Sequence, residues 1–262
     1  MNIEDRGHRS PKQKPAMRRP LALLASLPAV LAQLAVFAAP IPLLATERIA
    51  QAGRPLQSPD GQRSLSPSRV LAESHTLWEV LKRDEVFKLM RILDTEFRNS
   101  ALPQHPLWGP LTVAAAAEGA RQSLRYLLSR SDVHPEHANV RGETALMLAA
   151  RQGDLRMAEE LLKRGAQINR QGWTALHYAA AFNQRAMVDW LLEKDAYIDA
   201  ESPGNITPLI LAVRQGHEDL ARHLVEQGAD VSYRSHAGLT AMDYARIEGR
   251  EELVAWLFGR MR

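Results

Sequence analysis

Apolar residues recur with the period of an α-helix from Leu77 to the end of the chain. They fall into pairs of short segments that are separated by glycines and polar turns. No stretch shows the strict apolar and polar alternation that is typical of a half-buried β-strand. The pattern therefore predicts an almost wholly α-helical fold over residues 75–262.

A nine-residue pattern occurs four times within this helical region. Its copies read GETALMLAA, GWTALHYAA, NITPLILAV and GLTAMDYAR. The threonine at its third position recurs at separations of 30, 33 and 33 residues, as Thr144, Thr174, Thr207 and Thr240. Weaker copies cover residues 111–133 and 77–93. A fixed period of this length is typical of proteins built from stacked repeats.

The repeated unit resembles the ankyrin repeat, which runs G-x-TPLHxAA-x-x-G-H, then a Leu-Leu pair, then GAD followed by an apolar residue and Asn. One unit carries the TPL, GH and GAD elements at residues 207–209, 216–217 and 228–230. The resemblance implies an all-α solenoid of stacked helix-turn-helix units with short hairpin loops. The expected units are a degenerate N-terminal capping repeat at 75–108 and repeats at 109–139, 140–169, 170–202, 203–235 and 236–262.

The recurring residues have clear physical roles in such a unit. A threonine before an apolar run can cap a helix, because its hydroxyl accepts a hydrogen bond from an otherwise unpaired backbone N–H. The Leu-Leu pairs at 127–128, 161–162 and 191–192 are expected to lie on the second helix and to be buried against the next unit. No unit can bury its apolar face alone, so stacking should stabilise the fold.

His177 is a candidate for either a catalytic or a structural role. The sister units place Met147, Ile210 and Asp243 at the same position, so the repeat does not require an imidazole there. The sequence contains no GxSxG, P-loop or HExxH motif. The resemblance implies that His177 hydrogen-bonds backbone and hydroxyl groups between units. We therefore expect no enzymatic activity and no cofactor.

Metal binding is not expected either. The chain has no cysteine, which excludes disulfides, thiolate metal sites and thiol nucleophiles. His134, Glu136 and His137 carry metal-ligating groups at close spacing. They lie in a proline-bearing segment that is typical of a solvated loop, and we interpret them in that way.

The first 45 residues have the layout of a secretory signal. Residues 1–20 contain six basic and two acidic side chains, and residues 21–39 contain no charged side chain. A cleaved signal and an uncleaved membrane anchor both remain open, because 19 residues can cross a bilayer. Either alternative places the rest of the chain outside the inner membrane. Residues 46–74, rich in Pro, Ser, Gly and Arg, are predicted to form a disordered linker, and the start at Met1 or Met17 remains open.

The charge distribution argues against nucleic-acid binding. Residues 1–20 contribute +4 to a whole-chain charge of +3, so the remaining residues carry −1. The high isoelectric point therefore belongs to the N-terminal segment, and the repeats carry no general positive charge for nucleic acid.

The resemblance implies that partners bind in a concave groove, which is lined by the hairpin tips and by one face of each first helix. Two large aromatic residues are expected to be exposed there beside arginines, a composition typical of an interface centre. The alternative is that both aromatic side chains pack against the repeats. By register, the predicted partner-binding residues are Arg151, Gln152, Trp173, Phe182, Ile206, Arg214 and Gln215.

The sequence therefore predicts an exported, non-enzymatic ankyrin-repeat module that binds an unidentified protein partner in the bacterial periplasm. A monomer is expected, and a membrane contact only if residues 21–39 remain uncleaved. Two alternatives stay open. In the first, the chain is an accessory protein that protects or matures a periplasmic enzyme. In the second, it is a membrane-anchored scaffold.

Overall fold

The computed structural model describes residues 76–97, 102–105 and 107–260. All of these residues belong to one compact unit, Gln57–Arg262. The predicted signal or anchor at 21–39 and the predicted linker at 46–74 lie outside the described residues. No helix in the described ranges is both long enough and apolar enough to cross a bilayer.

The described residues form twelve α-helices and, apart from two isolated β-bridges, no β-structure. The helices are α1 (76–82), α2 (Val86–Glu96), α3 (Leu111–Ala117), α4 (Arg121–Ser129), α5 (Ala145–Gln152), α6 (Leu155–Lys163), α7 (Ala175–Ala181), α8 (Arg185–Glu193), α9 (Pro208–Gln215), α10 (Glu218–Glu226), α11 (Ala241–Ile247) and α12 (Glu251–Phe258). Consecutive helices pair, and from α3 onward the first helix of each pair packs on the first helix of the next. The prediction of an all-α solenoid is confirmed.

Threonine caps begin the first helices of several pairs. The hydroxyl oxygens of Thr144, Thr207 and Thr240 accept hydrogen bonds from backbone N–H groups three residues later, at 3.4, 3.3 and 3.2 Å. Each bond satisfies one of the donors that a helix start leaves unpaired. The threonine register thus fixes where α5, α9 and α11 begin.

The first helices form the centre of the stack and the second helices cover one side of it. Residues 145–150 of α5 and all residues of α7 are buried, many of them alanines that allow neighbouring helices to approach closely. In the second helices only one face is buried. Leu161 and Leu191 are fully buried, whereas the adjacent Leu162 and Leu192 are half-buried. The expectation that both leucines of these two pairs are buried is wrong, because adjacent helical residues point about 100° apart.

Side chains also connect each first helix to the preceding one by hydrogen bonds. Carbonyl groups at the end of a helix lack intrahelical partners. In four cases a side chain of the next pair donates a hydrogen bond to a carbonyl near the end of a first helix. The contacts are Gln152 Nε2 to Ala117 O (2.8 Å), Gln184 Nε2 to Arg151 O (3.1 Å), His217 Nε2 to Ala181 O (3.0 Å) and Arg250 Nη1 to Val213 O (2.9 Å). The stack is therefore held by polar bonds as well as by apolar packing.

A short turn precedes each first helix from α3 onward. We call these turns the fingers, at residues 107–109, 139–143, 169–173, 202–206 and 235–239. Hydrogen bonds close three of them, from the N–H of residues 142, 205 and 238 to the carbonyl three residues earlier, at 2.9, 2.9 and 2.8 Å. Gly142 has a φ of +77°, a left-handed conformation that glycine adopts without steric cost.

Candidate functional site

His177 joins two consecutive units through both nitrogens of its ring. Its Nδ1 accepts a hydrogen bond from the backbone N–H of Thr174 at 3.2 Å and lies 2.9 Å from the hydroxyl of Thr174. Because Nδ1 is the acceptor, Nε2 carries the proton and donates it to the carbonyl of Ile206 at 2.8 Å. The start of α7 is thereby tied to the finger of the next unit.

The electrostatics of His177 fit this structural position. The side chain is fully buried. Desolvation lowers the pKa of His177 to about 4, although the hydrogen bond to Ile206 opposes the shift. The imidazole is therefore neutral at pH 7, and its two nitrogens are occupied by groups of the protein itself.

The predicted groove residues beside the threonines, Trp173 and Ile206, contact other residues of the stack. The indole of Trp173 packs edge-on against the ring of His177, with ring centroids 5.2 Å apart. Ile206 is only 4% exposed. The expectation that Ile206 is available to a partner is wrong, because its carbonyl accepts from His177 and its backbone N–H donates to the hydroxyl of Ser202, which hold residue 206 inside the stack.

A buried carboxylate lies in the finger at 139–143. Glu143 accepts hydrogen bonds from the side-chain amide of Asn139 at 2.7 Å and from the hydroxyl of Tyr178 at 3.2 Å. Its other contact is an ion pair with Arg141, at 2.6 Å between Nη2 and Oε2. Burial raises the pKa of Tyr178, and the charge of Glu143 raises it further. The phenol therefore stays protonated and donates to the carboxylate.

Arg151 contacts two aromatic rings that come from different units. Its guanidinium is 5.6 Å from the ring centre of Trp108 and 5.8 Å from that of Phe182. Arg141 contacts the ring of Trp108 as well, at 5.3 Å. We call Trp108, Arg141, Arg151 and Phe182 the finger-side strip. Sequence reasoning found Arg151 and Phe182 but missed Trp108 and Arg141, although both occupy a finger next to a repeat glycine.

The remaining predicted residues lie farther along the same helix ends. The guanidinium of Arg214 is 5.1 Å from the ring centre of Tyr244, and burial lowers the pKa of Arg214. Gln215 is half-buried. Gln152 is exposed overall, but its side-chain amide donates to the carbonyls of Ala116 and Ala117. Gln152 therefore connects units, and Arg214 occupies the same repeat register as Arg151.

The loop that contains His134, Glu136 and His137 forms hydrogen bonds within the protein. The N–H of Glu136 donates to Nδ1 of His134 at 3.2 Å, and the carboxylate of Glu136 accepts from the backbone N–H of Gln167 at 2.9 Å. Among the residues that the structure describes, no three His, Asp or Glu side chains converge on a point where a metal ion could bind.

Comparisons with known proteins agree with this architecture. The family model described as "Ankyrin repeats (3 copies)" matches residues 111–202 and 198–261, which together cover more than half of the chain. The chain therefore belongs to the ankyrin repeat family. The repeats of this family serve as modules for protein–protein interaction, and the family is generally non-catalytic.

Three relatives illustrate the range of proteins in which similar repeats occur. The human "Ankyrin repeat domain-containing protein SOWAHD" is 31% identical, over 56% of this chain and 58% of its own. A "Putative ankyrin repeat-containing protein" of Treponema pallidum is 32% identical over 42% of this chain and 38% of its own. "Protein glp-1" of Caenorhabditis elegans is 31% identical over 51% of this chain and 12% of its own. The chain thus spans at most 58% of these relatives.

Proposed function

We propose that this chain binds a protein partner on the face that carries the finger-side strip. The observation that carries the proposal is the contact of the Arg151 guanidinium with the rings of both Trp108 and Phe182. Both rings are half-buried, so each keeps a surface that a partner can cover. Aromatic residues and arginine supply most of the binding energy in protein interfaces, where they cluster at the centre of the contact.

We also propose that this binding takes place in the bacterial periplasm. The support is the order of a basic segment at 1–20 and an uncharged apolar segment at 21–39, which is the layout of an export signal. N-terminal sequencing of the protein from its native host tests this part. We expect the mature chain to begin between Ala39 and Gly53. A chain that starts at Met1 or Met17 and fractionates with the cytosol would contradict export.

A quantitative pull-down from periplasmic extract tests the binding proposal. The parent chain is compared with the Phe182→Ala variant and with Phe87→Ala as a matched control. Phe87 is also a phenylalanine, but it lies on the second helix α2 and is 83% exposed. We expect Phe182→Ala to lose the captured partner and Phe87→Ala to retain it. Equal capture by both folded variants would move the binding site away from the finger-side strip.

A further inference from the structure

Arg151 and Arg214 occupy the same register in repeats that are two units apart. Each lies seven residues after a capping threonine, Thr144 or Thr207, near the end of a first helix. The unit between them has the small residue Ala181 at this register, followed by Phe182. Two guanidinium groups therefore flank a register position that carries only a short side chain.

Neither guanidinium forms an ion pair within the described ranges of the chain. Arg151 contacts the rings of Trp108 and Phe182, and Arg214 contacts the ring of Tyr244. The carboxylate of Glu248 favours the charge of Arg214 only through space. Burial of a charged group is costly when no opposite charge compensates it. Both arginines are half-buried, so each has a charge that an external anion can stabilise.

In contrast, several arginines on the second helices form ion pairs with carboxylates. Arg121 contacts the carboxylate of Asp154 at 2.5 Å. Arg125 is paired with Glu160 at 3.3 Å and Arg222 with Glu218 at 3.5 Å. Ion pairs also form at Arg141 with Glu143 and at Arg246 with Asp243. Among the residues that the structure describes, none forms an ion pair with Arg151 or Arg214 at the ends of α5 and α9.

The spacing of the two arginines restricts the ligand. Packed helices lie about 8–10 Å apart, so residues in the same register two units apart are separated by about 16–20 Å. An extended peptide advances about 3.3 Å per residue and covers this distance in about five to six residues. A carboxylate can bind a guanidinium through two parallel hydrogen bonds, which makes arginine selective for such groups.

We infer that the partner presents an extended acidic segment, with two carboxylate side chains about five to six residues apart and an apolar residue between them. The carboxylates bind Arg151 and Arg214, and the apolar residue covers Phe182. This inference rests on the proposed function and adds the chemistry of the partner. Nucleic acid is a poorer ligand for this face, because the chain beyond residue 20 carries a net charge of −1.

Selection from a displayed library of random peptides tests the inference. The peptides are about 12 residues long, twice the required spacing, and the purified full chain is the target. A charge-reversal variant, R151E/R214E, is compared with the control R156E/R164E. The control changes the charge by the same amount at two exposed arginines of the second-helix side. Circular dichroism verifies that all proteins are folded.

We expect the parent chain to enrich peptides with Asp or Glu pairs five to six positions apart. Enrichment of these peptides should fall at least tenfold on R151E/R214E, which should select Lys and Arg instead, and should persist on R156E/R164E. Acidic peptides that are retained on R151E/R214E, or an absence of acidic bias on the parent, would overturn the inference. A deoxythymidine oligonucleotide that binds more tightly than the selected peptides would overturn it as well.

The outcome also separates this inference from the proposed function. Selected peptides that lack acidic residues but are lost on Phe182→Ala leave the proposed function intact and refute the acidic partner. Selection that is unaffected by Phe182→Ala and by R151E/R214E refutes both. Loss of acidic peptides on both variants supports both, and loss on R151E/R214E alone supports the acidic partner but contradicts the role of Phe182.

Discussion

Nε2 of His177 lies 2.8 Å from the carbonyl oxygen of Ile206, so that one buried imidazole connects helix α7 to the finger of the following unit. The same ring accepts the N–H of Thr174 through Nδ1. This contact fixes residue 206 inside the stack. Burial of the ring, which outweighs the opposing effect of this hydrogen bond, keeps His177 neutral.

The stability of the protein should depend on the protonation of His177. Its pKa is about 4 in the folded protein and 6.5 in the unfolded chain. Between these values the unfolded state binds more protons, so stability falls as the pH decreases from about 6.5 to 4 and is unaffected by this group above pH 6.5. The loss amounts to about 3 kcal/mol. Denaturant unfolding at several pH values measures it.

His177→Gln removes the titrating group and should flatten this part of the pH profile. His236→Gln is the control, because it replaces an exposed histidine in the same way. If His177→Gln and the parent chain lost stability in parallel between pH 6.5 and 4, another group would be responsible for the acid sensitivity.

Leu191→Ala should destabilise the repeats far more than Leu192→Ala. Leu191 is fully buried, so its truncation leaves a cavity and costs roughly 2–5 kcal/mol. The neighbouring Leu192 is half-buried and should cost about 1 kcal/mol or less. Thermal and denaturant unfolding of the two variants give the comparison. Equal losses would contradict the orientation of α8 in the stack.

Arg141→Ala should destabilise the finger at 139–143. Glu143 has only 3% of its side chain exposed, and Arg141, its charged partner, has 38% exposed. Removal of the partner of a fully buried charge costs about 3–5 kcal/mol. We expect about 2 kcal/mol here, because water reaches Arg141 and screens the pair. A double-mutant cycle with Glu143→Gln measures the coupling, and additive effects would exclude a significant ion pair.

Trp173→Ala and Phe182→Ala should differ in what they impair. Trp173 packs on His177, so its replacement should lower the free energy of unfolding as well as any partner affinity. Phe182 contacts Arg151 at the surface, and its replacement should weaken partner binding by about 1–3 kcal/mol while the fold persists. Calorimetry and a quantitative pull-down separate the two effects. Unfolded Phe182→Ala would identify this ring as part of the core.

The sequence by itself determined the repeat, its register and the threonine caps at the starts of the first helices. These features depend on interactions within about four residues, such as the cap from Thr144 to Met147. They also depend on the helical period of apolar residues. The same period placed the Leu-Leu pairs on the second helices, although the structure buries only Leu161 and Leu191 fully in two of these pairs. Local interactions of this kind can be recognised without knowledge of the neighbouring units.

The tertiary structure alone decided which side chains of each repeat meet those of the next. Trp108, Arg151 and Phe182 lie in three different units, and no local pattern brings them together. Ile206 was expected at the surface by register, but the carbonyl contact with His177 holds it inside. The physical reason is that a finger residue can turn toward solvent or toward the stack without changing the helical pattern. The packing of the neighbouring unit selects between the two directions.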